Sequence, residues 1–252
     1  MKTLVQQGRI FVCAVQMLTR LPTPSLAGFQ PEWLARSVRY FPLVGQIVGL
    51  LAAAVWLGAS RLWPGLPAAV LAVGASALLT GGFHEDGLAD TADGLGGGRD
   101  RAHKLEIMKD SRIGGYGALA LGLVTLLRIA ALARCGPWAG AAALLLAQGG
   151  ARAAAVVVMA MLPYVREPSA AKLPPVGAGA RWTDALVAVV LGGWPLVLLT
   201  AGRAALAVGL AACAAASLAW LARRLIGGIT GDVLGAIEQV AEAALLLGAS
   251  AG

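Results

Sequence analysis

Gly81-Gly82-Phe83-His84-Glu85-Asp86-Gly87-Leu88-Ala89-Asp90-Thr91-Ala92-Asp93, followed by Gly94-Leu95-Gly96-Gly97-Gly98, is an acidic island in a chain that is otherwise basic and apolar. Four of the 13 acids, Glu85, Asp86, Asp90 and Asp93, fall within nine consecutive positions. On a helix that advances about 100° per residue, Asp86, Asp90 and Asp93 lie at about 0°, 40° and −20°, so three carboxylates share one narrow face. Unpaired, they repel one another, and a cation between them is expected. No soft ligand stands nearby, so a hard, oxygen-seeking divalent ion such as Mg²⁺ suits them, with Glu85 as a fourth candidate ligand. The alternative is a solvated acidic face, but no Lys or Arg is interleaved with these acids as such a face would favour.

The surroundings are those of a membrane. Hydrophobic residues make up 58% of the 252 and charged residues 13%, against about 25% in a soluble domain, and mean hydropathy is +0.76. The net charge of +7 is thinly spread over loops, which points to membrane orientation and anionic substrates. No basic patch interleaved with aromatics supports nucleic-acid binding. Cys13, Cys135 and Cys213 are far apart and form no CxxC, so neither a disulfide framework nor a zinc site is expected.

From the acidic island outward the chain reads as one integral membrane domain, all-α, with an interfacial amino-terminal segment (1–42) and a transmembrane helical bundle (43–252). Leu4, Gly8, Phe11, Val12, Val15 and Leu18 recur at helical spacing, and Gln6, Gln7, Arg9, Gln16 and Arg20 take the other side. Arg9 and Gln16 interrupt any signal-peptide core, so the stretch predicts an interfacial helix that stays attached, ended by Pro22 and Pro24. About seven spans are expected, at 43–60, 66–82, 116–133, 139–162, 184–200, 204–221 and 232–250, given about 20 residues per crossing. With a cytoplasmic amino end, the segments 1–42, 83–115, 163–183 and 222–231 hold 15 of the 20 Lys and Arg, and the opposite loops hold only Arg61, Arg134 and Arg203. That is the asymmetry of the positive-inside rule, and it puts every polar motif on the cytoplasmic face.

Those motifs carry further candidates. Lys109, Asp110 and Arg112 stand beside Gly114-Gly115, directly before a span, where a glycine turn opening a helix could cradle phosphate; the alternative is the ordinary positive charge of a cytoplasmic loop. Gly94 to Gly98 lacks the spacing of any phosphate-binding fingerprint and reads as a hinge. Arg128, Arg152, Glu238 and Glu242 lie inside spans, where each charge costs at least about 2.5 kcal/mol. Arg152 and the two glutamates fall at comparable depth, so either they form Arg–Glu pairs that fix packing or Glu238 and Glu242, at i and i+4, meet a cation together. Arg223 and Arg224 precede Gly227-Gly228 and Thr230-Gly231-Asp232, where Asp232 either caps the last helix or completes a metal shell. The Pro163–Pro175 loop, with Tyr164 and Arg166, is expected to border the site.

Taken together, Thr19-Arg20-Leu21-Pro22, Tyr40-Phe41-Pro42-Leu43-Val44-Gly45, the stretch Gly82 to Gly94, Ile107-Met108-Lys109-Asp110-Ser111-Arg112-Ile113-Gly114, Leu162-Pro163-Tyr164 and Gly228-Ile229-Thr230-Gly231-Asp232 resemble adenosylcobinamide-GDP ribazoletransferases, the cobalamin (5′-phosphate) synthases of prokaryotes. The resemblance covers nearly the whole chain. Phe83-His84-Glu85 departs from the Leu-His-Leu run of that family. The resemblance implies a Mg²⁺-dependent, multi-pass enzyme of the cell inner membrane. The reaction so implied joins adenosylcobinamide-GDP to α-ribazole or its 5′-phosphate and releases GMP. Asp86, Asp90, Asp93 and Asp110 would then be catalytic, Glu85 would join the first three as metal ligand, and Lys109, Arg112, Arg152, Arg223, Arg224 and Asp232 would bind substrate. Asp-Gly-x-Ala-Asp-x-x-Asp at 86–93 is also similar to part of the CDP-alcohol phosphotransferase motif, although no Arg follows Ala89. A CDP-alcohol phosphotransferase-like enzyme and a secondary transporter using the intramembrane charges are the competing readings.

Overall fold

The structure is a computed structural model that describes residues 2–26, 28–165, 176 and 179–251. Among these, every regular element is helical: α1 (Lys2–Leu18), α2 (Pro31–Ser37), α3 (Phe41–Ser60), α4 (Leu66–Thr80), α5 (Phe83–Gly97), α6 (Arg101–Ile107), α7 (Gly115–Ala133), α8 (Pro137–Met161), α9 (Trp182–Gly193), α10 (Ala201–Ile226) and α11 (Gly231–Ala249). The all-α polytopic reading holds, and α1 occupies the stretch read as an interfacial helix.

Four stretches are long and apolar enough to cross a membrane: 31–60, which joins α2 to α3, and helices α7, α8 and α10. Helices α4 and α5 make a fifth if taken as one broken span, since they meet at 90°. The expected seven are not all reached. Helix α9 has only 12 residues, about 18 Å of helix against about 30 Å of hydrocarbon. It stops at Gly192-Gly193, and Pro195 turns the chain into a 3-10 segment. Helix α11 has the length, at 19 residues, but carries Asp232, Glu238 and Glu242 and is buried along almost its whole course. It is the central post against which α5, α7, α8 and α10 lean.

The bundle is apolar outside and polar within. On α7, Leu119, Leu123 and Leu126 are exposed while Arg128 is 1% exposed. Lipid supplies no hydrophobic drive between helices, so close backbone approach does much of the work. Gly49 of α3 lies where a Cβ would stand 2.9 Å from the Leu144 carbonyl oxygen of α8, and Gly45, one turn before it, meets the Gln148 carbonyl.

Hydrogen bonds between loops establish which helix ends share a side. Arg20 N–H donates to Leu79 O at 2.8 Å, Val165 N–H to Ile229 O at 2.8 Å and Ile229 N–H to Pro163 O at 3.0 Å. With the bonds from Gly114 and Gly117 N–H at the start of α7 to Asp93 of α5 and the contact of Gly87 with Asp232 and Gly235, the ends of α4, α8 and α10 and the starts of α7 and α11 are gathered at one face with α5. At the other face Trp56 Nε1 donates to Pro137 O and Arg203 Nε to Ala251 O, each at 2.8 Å.

Candidate functional site

The turn that delivers the acidic helix is Gly81-Gly82, with φ of 74° and 73°, a left-handed conformation that glycine adopts at little cost. It swings α5 through 90° from α4, so α5 lies across the helix ends. Its first two turns then meet α11. A Cβ on Gly235 would stand 3.3 Å from His84 Cα and 3.4 Å from Gly87 Cα, so the two backbones touch where Gly87 and Gly235 cross.

That crossing sets Asp86 and Asp90 beside Asp232 in the first turn of α11. Asp86 is exposed, and Asp90 and Asp232 are half-buried. Burial, together with the neighbouring carboxylates of Asp86, Asp232 and Asp93, pushes the Asp90 carboxyl up to about 6. The helix cap expected of Asp232 belongs to Thr230, whose Oγ1 accepts from Val233 N–H at 3.2 Å and donates to Asp232 Oδ2 at 3.4 Å. Asp232 is left to face the acidic helix. The donors are all carboxylate oxygens in mutual repulsion, which fits a hard divalent cation. Among the described residues no three acids, histidines or cysteines already converge as a metal-binding group, so holding an ion requires these side chains to turn toward one another.

Asp93 is placed differently from its expected partners. It is buried, with Oδ2 accepting from Gly114 N–H at 2.7 Å and Oδ1 from Gly117 N–H at 2.8 Å. It closes the amino end of α7, whose first N–H groups have no partner within the helix. In the glycine turn that could cradle phosphate, the Gly114 N–H is therefore already taken.

Glu85, expected as a metal ligand, faces the interior instead. Its Oε1 accepts from Arg128 Nη1 at 3.2 Å, and Arg128 also bonds Glu242 and Gln239, each at 2.7 Å. Gln148 Nε2 donates to the same Glu242 oxygen at 2.7 Å. Arg152 lies 2.8 Å from Glu238 and bonds Gln148. The two intramembrane glutamates therefore pair each with its own arginine, and the charges that suggested a transport path are matched. Removing one partner from such a buried pair costs about 3–5 kcal/mol. Arg152, expected at the substrate, is only 2% exposed. It lies on the floor of a cavity of about 240 Å³ shared with His84, Tyr164 and Gly231.

The remaining expected residues lie around this face. Arg112 grips Asp110 in a two-pronged pair, with Nη2 2.6 Å from Oδ2 and Nε 3.0 Å from Oδ1. That grip holds the exposed Asp110 carboxyl down at about 2. Lys109 is exposed beside it. Arg223 is exposed in the last turn of α10, and the Arg224 guanidinium stacks 5.3 Å over the Trp220 ring. Arg166 lies outside the described residues. The crossing glycines Gly87 and Gly235, His84 on the cavity floor, whose lack of a second ligand-spaced histidine suggested an indifferent role, and Arg20, which reaches the Gly81 carbonyl, were given no site role from the sequence. Arg20 was read only as part of the polar side of the amino-terminal helix and within Thr19-Arg20-Leu21-Pro22.

A family model described as Cobalamin-5-phosphate synthase matches residues 10–250. The chain belongs to the cobalamin-5-phosphate synthase family. A relative from Leptothrix cholodnii, named adenosylcobinamide-GDP ribazoletransferase, is 42% identical over all of this chain and 98% of its own length. Relatives of the same name from Shewanella amazonensis and Azorhizobium caulinodans are 42% and 45% identical, over 98% and 93% of this chain and 96% and 92% of their own. No solved structure is a significant match. Within this cobalamin-5-phosphate synthase family member, the motifs quoted from the sequence all fall at the helix ends gathered around α5.

Proposed function

We propose that the protein transfers the adenosylcobinamide-phosphate part of adenosylcobinamide-GDP to α-ribazole or its 5′-phosphate and releases GMP, the activity for which its relatives are named. The observation that carries this is the Gly87–Gly235 crossing, which gathers Asp86, Asp90 and Asp232 beside the exposed Lys109 and Arg112 loop's side of the bundle. In the reaction a ribose hydroxyl oxygen bonds to the cobinamide-side phosphorus, the bond from that phosphorus to the GMP oxygen breaks, and the hydroxyl proton passes to a carboxylate of the cluster. Positioning and charge stabilisation do most of the work in phosphoryl transfer.

Asp86, Asp90 and Asp232 would hold Mg²⁺, with Asp93 adding its charge from the start of α7. When bound, the ion supplies charge neutralisation on the diphosphate and on the departing GMP phosphate. Lys109 and Arg112 receive diphosphate oxygens, Arg112 as a planar fork that Asp110 holds in place and Lys109 as a point charge. Arg223 and Arg224 close the same face from the end of α10. The 15-to-three charge distribution supports a cytoplasmic position for this face in the inner membrane.

The test is GMP release by the purified protein in liposomes given adenosylcobinamide-GDP, α-ribazole and Mg²⁺. Release that requires both substrates supports the reading. Release no faster than in protein-free liposomes, with either the nucleoside or its phosphate, overturns it.

A further inference from the structure

The cavity beneath the acidic helix is built from the ends of α1, α3, α5, α8 and α11. Its walls are largely apolar: Met17, Phe41, Phe83 and Met159 contribute thioethers and aromatic rings. Its floor holds His84, Arg152 and Glu238. Gly231 and Gly235 line it as well, and Asp232 follows Gly231 directly, so the cavity adjoins the carboxylates.

Two features mark it as a binding site. Arg152 is 2% exposed, yet its Nε has no hydrogen-bond partner among the described residues. A buried donor left so costs free energy unless something answers it. His84, 6% exposed, faces Glu238 with Nδ1 3.7 Å from Oε1, too far for a hydrogen bond. The floor thus keeps polar capacity in an otherwise apolar hole. At about 240 Å³ the volume lies below the roughly 300–1,000 Å³ of drug-sized pockets, which excludes a corrin ring. A guanine base would bring several edge donors and acceptors to walls of methionine and phenylalanine, where they would go unmatched.

We propose that this cavity receives the methylated benzimidazole base of α-ribazole. The aromatic face lies against Phe41, Phe83 and the methionines, and the base's free ring nitrogen accepts from the floor. The ribose then emerges past Gly231 toward Asp86, Asp90 and Asp232, which orients its hydroxyl for attack. This inference rests on the proposed transfer reaction.

The experiment measures GMP release in liposomes at saturating Mg²⁺ and varies each substrate in turn. Ala155 lines the cavity and is 5% exposed. Ala155→Leu should raise KM for α-ribazole about tenfold or more and leave KM for adenosylcobinamide-GDP within about twofold. For the wild type, the riboside of unmethylated benzimidazole should lose about tenfold or more in kcat/KM, since a methyl in an apolar pocket carries that much discrimination. Met159→Ala enlarges the cavity and should flatten this preference, which decides the matter if Ala155→Leu fails to reach the membrane. An unchanged KM for α-ribazole in the variants, or a rise confined to adenosylcobinamide-GDP, overturns the assignment. If the wild type releases no GMP with any riboside, the transfer reaction itself fails. Normal wild-type turnover with indifferent variants removes only the cavity's role.

Discussion

A Cβ on Gly87 would stand 2.9 Å from the carbonyl oxygen of Asp232 and 3.2 Å from its Cα. Both obstacles are backbone and cannot swing aside. Gly87→Ala therefore has to separate α5 from α11 and carry Asp86 and Asp90 away from Asp232. Misplacement of reacting groups by about 1 Å costs about 10²-fold in rate, so GMP release should fall by about that factor while the protein still reaches the membrane. Wild-type turnover in Gly87→Ala would show that the close crossing does not set the site.

The acids of the island should divide into two kinds. Asp86→Asn and Asp90→Asn should lower turnover and raise the Mg²⁺ concentration needed for half-maximal rate, with little change in thermal unfolding in detergent. Asp93→Asn removes one of the two acceptors for Gly114 and Gly117, and should cost about 1 kcal/mol or more of stability, seen as a lower unfolding temperature. Equal unfolding temperatures in all three variants would reject the structural role of Asp93. Unaltered Mg²⁺ dependence at positions 86 and 90 would reject the metal role there.

How far the sequence spoke depended on how local each cause is. The amphipathic run of α1 and the apolar runs of α3, α7, α8 and α10 are carried by neighbours along the chain, and periodicity exposes them. The helical face shared by Asp86 and Asp90 is equally local. Asp93 shares that spacing, but its partners stand 21 and 24 residues later, and nothing in an eight-residue pattern announces them. Glu85 binds Arg128, 43 residues on, so adjacency to Asp86 misassigned it. The depth argument did anticipate Arg–Glu pairing, because rise per residue is a fixed ruler, whereas which arginine meets which glutamate required rotation about the helix axes. The shortness of α9 was signalled by Gly192-Gly193 and Pro195, read through because the apolar run continues to 200.

Arg112 offers a test of the basic loop. Arg112→Ala should raise KM for adenosylcobinamide-GDP by about tenfold, and Arg112→Lys should not restore it, since a point charge replaces the fork. The exposed pair with Asp110 contributes little to stability, so unfolding temperature should hardly move. Wild-type KM in both variants would return the loop to a purely topological role.

Orientation can be read by labelling from outside intact cells after Cys13, Cys135 and Cys213 are replaced. A thiol at Gly136→Cys, where a side chain meets open space, should react. One at Arg99→Cys should stay protected. Arg99 is the better position on the acidic side, because at the neighbouring Gly98 a Cβ would run into Lys104. Labelling at 99 with protection at 136 would invert the assigned orientation.

The right angle at Gly81-Gly82 has a further implication. An acidic helix that continued along α4 would project its carboxylates out beyond the bundle, away from Asp232 and the cavity beside it. Laid flat over the helix ends, it leaves Asp86 in contact with water while its glycines rest on the bundle below. Substrates arriving from solution then meet a shoreline, a strip where a hydrated nucleotide and an apolar ring can each keep the surroundings they prefer while their atoms are brought together.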